Sequence, residues 1–246
     1  MPEGYAAIGA LAPIAFLGAL VYGITGFGAA LVAIPLATHF VPLPFALAVF
    51  VLLDLANSLR LGLEAPHHVA RAEVVRLVPS LVLGTALGVT LLVNLPRRGA
   101  MLALGTFVVA FALYTLLARG PRGSLRQGWA YLAGLTGGVT STLFGAGGPP
   151  YAIYLSQRGL TKETFRATLA ATSVASVSLR LLAFALTGLM SHGKVWAAAA
   201  IALPAAWIGI SSASRLFKRI RRETLMRAVG VMLLVSGGSL LARALA

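Results

Sequence analysis

Gly145-Ala146-Gly147-Gly148-Pro149-Pro150 interrupts an apolar segment, residues 128–155, that carries no charged side chain. Glycine adopts backbone angles that other residues avoid. Proline at a first helical position gives up only a donor that the helix would leave unpaired. The pattern predicts a helix that stops near Phe144, a glycine bend, and a new helix from about Pro149. Non-helical backbone at membrane depth is tolerated only where protein or a water-filled cavity surrounds it. A glycine-broken apolar segment is therefore a place to look for a binding site. A second interruption, Gly26-Phe27-Gly28, lies in the apolar run 5–38.

The composition sets the class. The chain is 59% hydrophobic and 11% charged, with a mean hydropathy of +0.90, whereas soluble domains average about 25% charged residues. An integral membrane protein follows. The first fifteen residues lack the basic start and cleavage site of a secretory signal. There is no cysteine, which excludes disulfides, thiolate metal sites and cysteine nucleophiles. The net charge of +14 marks cytoplasmic loops in such a protein, so nucleic acid is not an expected partner.

A membrane helix needs about 20 apolar residues. By that ruler the segments are 5–38, 44–63, 74–93 and 99–118, then 128–155, 164–189, 195–211 and 225–244. Residues 5–38 and 128–155 are too long for one helix and contain the two breaks. Residues 119–127, with Gly120, Pro121 and Gly123, read as a cytoplasmic linker between a first repeat, 1–118, and a second, 128–246. The halves echo each other. Gly26, Gly28 and Leu36 match Gly145, Gly147 and Leu155 at an offset of 119; Ser58-Leu59-Arg60-Leu61 matches Ser178-Leu179-Arg180-Leu181 at 120. Pro79, Gly84, Met101 and Gly105 match Pro204, Gly209, Met226 and Gly230 at 125.

Loop charge selects a topology. If every segment crosses once, lysines and arginines divide almost evenly between the faces. If each broken segment enters and leaves on one side, the split becomes strongly unequal. One face then carries Arg60, Arg71, Arg76, Arg119, Arg122, Arg126, Arg158, Lys162, Arg166 and the cluster from Arg215 to Arg227. The other carries Arg97, Arg98, Lys194 and Arg243. Positive charge gathers inside, so this arrangement is preferred, with both termini outside. The broken segments are either two short crossings or re-entrant hairpins. Each half makes an odd number of crossings, which inverts one half relative to the other. The expected fold is an all-α integral membrane protein of two inverted repeats, each a broken or re-entrant helix pair plus three transmembrane helices, as in secondary transporters.

Several side chains stand out against this background. Arg180 sits well inside an apolar segment, where a cation costs about 2.5–3.5 kcal/mol on insertion scales. An anionic substrate would offset that cost; a static pair with Asp54, or an outward-reaching strut, would do so equally. Thr168, Thr172, Ser176 and Arg180 recur every four residues and form one polar stripe. Asp54 is an acid within an apolar segment, with Asn57 and Ser58 on its face. It reads as a coupling group, as the counter-charge of Arg180, or as a structural acid. Arg60, equivalent to Arg180 in the repeat, reads as a cytoplasmic anchor. A helix starting at Pro149 would present free amides and the positive end of its dipole at Gly147 and Gly148, which suits an anion; close helix packing is the competing role for such glycines. The histidines have no metal-ligand spacing, and no cofactor is expected. Trp129, Tyr131, Trp196 and Tyr114 fall near segment ends, where aromatic belts lie.

Gly23-Ile24-Thr25-Gly26-Phe27-Gly28 with Pro35-Leu36, Gly145-Ala146-Gly147-Gly148-Pro149 and Phe165-Arg166-Ala167-Thr168 together resemble the TauE/SafE family of sulfite-exporter-like permeases. Ala29 and Ala30 depart from a glycine-richer pattern after the first bend. The resemblance covers nearly the whole chain and implies transport of small anions such as sulfite, sulfonates and related oxidised sulfur or carboxylate compounds. The expected function is a secondary transporter of such anions, working by alternating access in a bacterial inner membrane. The expected substrate-binding residues are Thr25, Gly26, Phe27, Gly28, Asn57, Thr142, Gly145, Gly147, Gly148, Pro149, Thr172, Ser176 and Arg180, with Asp54 as the coupling residue. Expected partners are the anion, membrane lipids and a second copy in a homodimer. An anion channel is the main alternative, and an intramembrane serine hydrolase built on Ser141 is a more distant one.

Overall fold

The computed structural model describes residues 8–64, 66–117, 125–217 and 222–245. Among these, the regular structure is helical throughout. The elements are α1 (Leu11–Thr25), α2 (Ala29–Ala37), α3 (Leu43–Glu64), α4 (Arg71–Asn94) and α5 (Arg97–Leu117), then α6 (Trp129–Phe144), α7 (Gly148–Ser156), α8 (Lys162–Leu186), α9 (Gly193–Phe217) and α10 (Arg222–Leu245). A short 3₁₀ turn, Pro66–His68, joins α3 to α4. Most of the expected linker, and the side chains of the basic run from Arg215 to Arg227, lie outside the described residues.

Four helices, α3, α4, α8 and the Gly193–Ala213 part of α9, are long and apolar enough to cross a membrane. Their surfaces divide as membrane helices require. On α4, Leu77, Leu81, Gly84, Gly88 and Leu92 are buried, while Leu83, Leu87 and Leu91, four residues apart, are exposed. A large bare apolar stripe on a soluble monomer would be a liability; facing lipid it is satisfied. The 15 residues of α1 rise about 22 Å, short of a hydrocarbon core of about 30 Å.

At both breaks the chain folds back. Gly18 of α1 faces Ala29 and Ala33 of α2, and Gly137 of α6 faces the ring of Tyr151 on α7. Positions 18 and 137 differ by 119, the offset read from the sequence. The same arithmetic governs packing between elements. A methyl on Gly84 (α4) would strike the carbonyl of Leu135 (α6), and one on Gly209 (α9) the carbonyl of Phe16 (α1). Gly105 (α5) faces Leu241 (α10), and Gly230 (α10) faces Leu116 (α5). Each contact maps onto its counterpart when the halves are exchanged at offsets of 119 and 125.

These contacts also give helix directions. Phe16 lies by Gly209 and Gly23 by Ala213, so α1 and α9 run parallel. Gly84 lies by Leu135 and Gly88 by Thr142, so α4 and α6 run parallel. The equivalent helices α5 and α10 run antiparallel. So do α3 and α8, where Asp54 meets Arg180 and Gly62 meets Val174. Small residues at these crossings let backbones approach closely, which is how helices associate where lipid removes the hydrophobic driving force.

Candidate functional site

Both bends are built by one device. Helix α1 stops because Gly26 takes a left-handed conformation (φ 82°) and its amide bonds Tyr22 O at 2.7 Å. Helix α6 stops because Gly145 does the same (φ 69°), its amide bonding Ser141 O at 2.9 Å. Glycine alone adopts this cap without strain. Thr25 secures the first bend: its hydroxyl donates to Val21 O at 2.8 Å and accepts from the Phe27 amide at 3.3 Å. Helix α2 then starts from Gly28 (φ 87°), and α7 starts at Gly148 with prolines in its first turn. Those prolines have no N–H, so the free amides at the α7 start are confined to Gly147 and Gly148. At α2 they are those of Ala29, Ala30 and Leu31.

The bends meet. Phe27 packs on Gly148, where an added methyl would come 2.5 Å from the Phe27 Cβ. Ala30 packs on Gly145, where a methyl would lie 2.6 Å from the Ala30 Cβ and 3.1 Å from Arg180 Nη1. Two helix N-termini thus face one small space. It is a cavity of about 30 Å³ lined by Tyr22, Phe27, Gly28, Ala29, Ala30, Asp54, Ser58, Ser141, Gly145, Gly147, Gly148, Tyr151, Ser173, Ser176 and Val177. That volume suits water rather than a multi-atom solute, so the space is too small for a substrate in this conformation.

Arg180 stands behind two of the lining residues, Asp54 and Ser141. It is 1% exposed; Nη2 donates to Asp54 Oδ2 at 2.7 Å and Nη1 to Ser141 O at 2.9 Å. Ser141 O belongs to the last turn of α6, so the guanidinium also meets the negative end of that helix dipole. Arg180 Nε is buried without a hydrogen-bond partner. Hydroxyls line the remaining walls. Ser176 Oγ donates to Ser141 Oγ at 3.0 Å and lies 3.1 Å from Tyr151 Oη. Tyr22 Oη donates to Ser58 Oγ at 3.0 Å. The partners around Ser141 are hydroxyls, not the oriented base that a serine nucleophile requires.

Of the residues singled out from the sequence, Phe27, Gly28, Asp54, Gly145, Gly147, Gly148 and Ser176 line the cavity, and Arg180 bonds to two of its walls. Others stand behind it. Thr25 braces its bend. Gly26 faces Leu169 and Leu61. Thr142 donates to Gly138 O at 2.9 Å and Thr172 to Thr168 O at 2.8 Å, each one turn back. Asn57 and Pro149 are buried but outside the lining. The polar stripe Thr168, Thr172, Ser176 and Arg180 is buried throughout. Sequence reasoning missed Tyr22, Tyr151 and Ser173. Their signal was weak: Tyr22 is one turn before Gly26, Tyr151 directly follows Pro150, and Ser173 is three residues from Ser176 on the same face.

Arg60 behaves differently from its counterpart. Its Nη1 donates to Ser211 Oγ at 2.9 Å and its guanidinium stacks 4.7 Å from the Trp207 ring centroid, away from the cavity. A second, mostly apolar cavity of about 630 Å³ lies between the start of α3 and the α8–α9 connection, lined by Phe45, His192, Lys194 and Val195 among others. This puts His192 at a helix end, remote in the chain's packing from Ser141.

The chain is 26% identical over 192 residues to the probable inner membrane transporter protein TsaS of Comamonas testosteroni, covering 77% of this chain and 80% of that protein. No solved structure matches. Residues 11–240 match the model of the sulfite exporter TauE/SafE family, a span that includes both bends and all four crossing helices, and the chain belongs to that family of membrane transporters.

Proposed function

We propose that this protein is a secondary transporter of small anions, sulfite, organosulfonates or related oxidised sulfur and carboxylate compounds, in a bacterial inner membrane. Transport proceeds by alternating access around the cavity between the bends. The observation that carries the reading is the convergence of two helix N-termini on a single small cavity, with one buried guanidinium bonded to residues of its wall. Each N-terminus contributes roughly half a positive charge. The Arg180–Asp54 pair is close to neutral and the C-terminal carbonyls of α1 and α6 are capped at Gly26 and Gly145, so the preference for a negative ligand rests on the uncapped amides at the two helix starts. Gly147, Gly148 and the α2 amides present donors without side chains in the way, and Arg180 Nε supplies one more. Asp54 then acts as the coupling group: a proton on its carboxylate loosens the pair and releases Arg180 toward the substrate.

The two halves act as inverted repeats. Equivalent helices α3 and α8, and α5 and α10, pack antiparallel, and contacts repeat at offsets that drift from 119 to 125. Both fit a two-fold axis in the membrane plane. The fold-back of α2 along α1 and of α7 along α6 fits re-entrant hairpins. These directions agree with a topology in which the described basic residues Arg71, Arg76, Arg126, Arg158, Lys162 and Arg166 share the cytoplasmic face and the termini lie outside. A cavity of about 30 Å³ favours a carrier over a channel.

The test is uptake of labelled sulfite and of a panel of sulfonates and carboxylates into proteoliposomes. Saturable flux with counterflow is expected for at least one member. Correctly folded protein that moves none of them would refute the reading, and non-saturable flux without counterflow would point to a channel.

A further inference from the structure

Away from the cavity, one buried acid is not used by the transport reading. Glu73, in the first turn of α4, is 6% exposed. Its Oε2 accepts from Tyr154 Oη at 2.6 Å. Its Oε1 accepts from Arg76 Nη1 at 2.9 Å and from Arg158 Nε at 3.2 Å. Arg158 Nη1 reaches further, to Leu125 O at 2.7 Å. Tyr154 is on α7 and Arg158 lies just beyond its C-terminal end, where a cation also complements the helix dipole. Leu125 leads into α6. One carboxylate thereby ties the half-helix α7 to the tightly packed pair α4 and α6, at the face where the described basic residues gather. The other end of α7 is the bend itself, and Tyr151, one turn before Tyr154, reaches Ser176 in the cavity.

On the opposite face the polar tie is lighter. The position equivalent to Arg158, at an offset of 119, is His39 at the end of α2. It makes one contact to another element, Nε2 to Ser239 Oγ of α10 at 3.0 Å, in an exposed setting. Replacing a buried ion pair with apolar residues often leaves stability unchanged or improves it. A polar tie is useful where the contact must be exchanged for water and remade.

We propose that Glu73, Tyr154 and Arg158 form the gate of the basic face, holding α7 closed over the cavity, while the His39 side opens more readily. The proposal rests on the transport reading, but its test needs no substrate. The chain has no cysteine, so Val177→Cys, at the cavity wall, gives a single reporter thiol. Its labelling by a membrane-impermeant maleimide is measured from each face separately in oriented vesicles. In the parent reporter, labelling from the face opposite the basic one should be the faster. Adding Glu73→Gln, or the milder Tyr154→Phe, should speed labelling from the basic face roughly tenfold, the effect of losing one charge-assisted bond on an opening equilibrium. Labelling from the other face should not rise. The exchange Glu73→Arg with Arg158→Glu should return the basic-face rate toward the parent. Unchanged basic-face labelling in variants that keep the parent's melting temperature overturns the gate, as does an equal rise from both faces. Failure of the transport reading would instead appear as absent flux in the unmodified protein.

Discussion

Arg180 and Asp54 are bound at 2.7 Å across the two halves of the chain, on the equivalent helices α8 and α3, with both side chains withdrawn from solvent. Neither charge has another full counter-ion in the described site. Removing one leaves the other buried and uncompensated, which costs about 3–5 kcal/mol. Arg180→Ala and Asp54→Asn should each lower the melting temperature of the purified protein and abolish or strongly reduce flux. Pairing Arg180→Met with Asp54→Leu should recover most of the stability without recovering flux. Recovery of transport in that double variant would remove both residues from the mechanism.

Arg180→Lys should fail for a geometric reason. The guanidinium holds Asp54 and Ser141 O with two separate nitrogens, a fork that one ammonium does not reproduce. Substrate affinity should fall at least tenfold, about 1.4 kcal/mol, with insertion intact. Arg60→Ala is the matched control. It loses a part-buried hydrogen bond to Ser211 and a cation–π contact worth about 0.5–1 kcal/mol and should leave the affinity unchanged. Titration of a binding signal in both variants separates the two arginines.

Gly145→Ala should be among the most damaging single-methyl changes. The residue has φ 69°, and the added carbon would lie 2.6 Å from the Ala30 Cβ. Left-handed backbone costs a non-glycine residue about 1–2 kcal/mol, and the clash between the bends adds to it. Gly159→Ala shares a positive φ but has open space around it. It should be milder, and thermal unfolding in detergent compares the two directly.

Tyr151→Phe deletes only the hydroxyl that meets Ser176. The loss is one neutral hydrogen bond, about 0.5–1.5 kcal/mol. Stability should change little, while the apparent KM for the transported anion should rise severalfold at unchanged maximal rate if the hydroxyl faces the ligand. A change in maximal rate alone would place Tyr151 in the movement of α7 rather than in binding.

The helix–helix contacts predict paired sensitivities. Gly84→Val and Gly209→Val both drive a side chain into a facing backbone carbonyl, that of Leu135 or Phe16. Overpacking of this kind costs about 1–3 kcal/mol. Similar losses in melting temperature at the two positions are expected of equivalent sites; a large loss at one and none at the other would argue against equivalence.

Much of the plan is legible in one dimension. Composition and segment length identify a membrane protein, because apolar surface in such excess has no soluble fold to enter. The stops at Gly26 and Gly145 follow from residue chemistry, since the left-handed caps there suit glycine and the following Pro149-Pro150 suits a helix start. The slowly drifting offsets between halves, 119 to 125, were visible as sparse matches, and glycine contacts fall at the same offsets. Glu73 was not visible: at the edge of an apolar segment, beside Arg71 and Arg76, it reads as an ordinary solvated helix start.

What the chain's order of residues determines alone is where helices run, where they break and which charges sit at which end, because these depend on local chemistry and on the thickness of the bilayer. What only the tertiary structure decides is which faces meet. Asp54 and Arg180 are 126 positions apart, and Tyr22, Tyr151 and Ser173 have no local mark of a shared cavity. Their convergence depends on the rotation of each helix about its axis, and that rotation is set by close backbone packing at small residues on other helices.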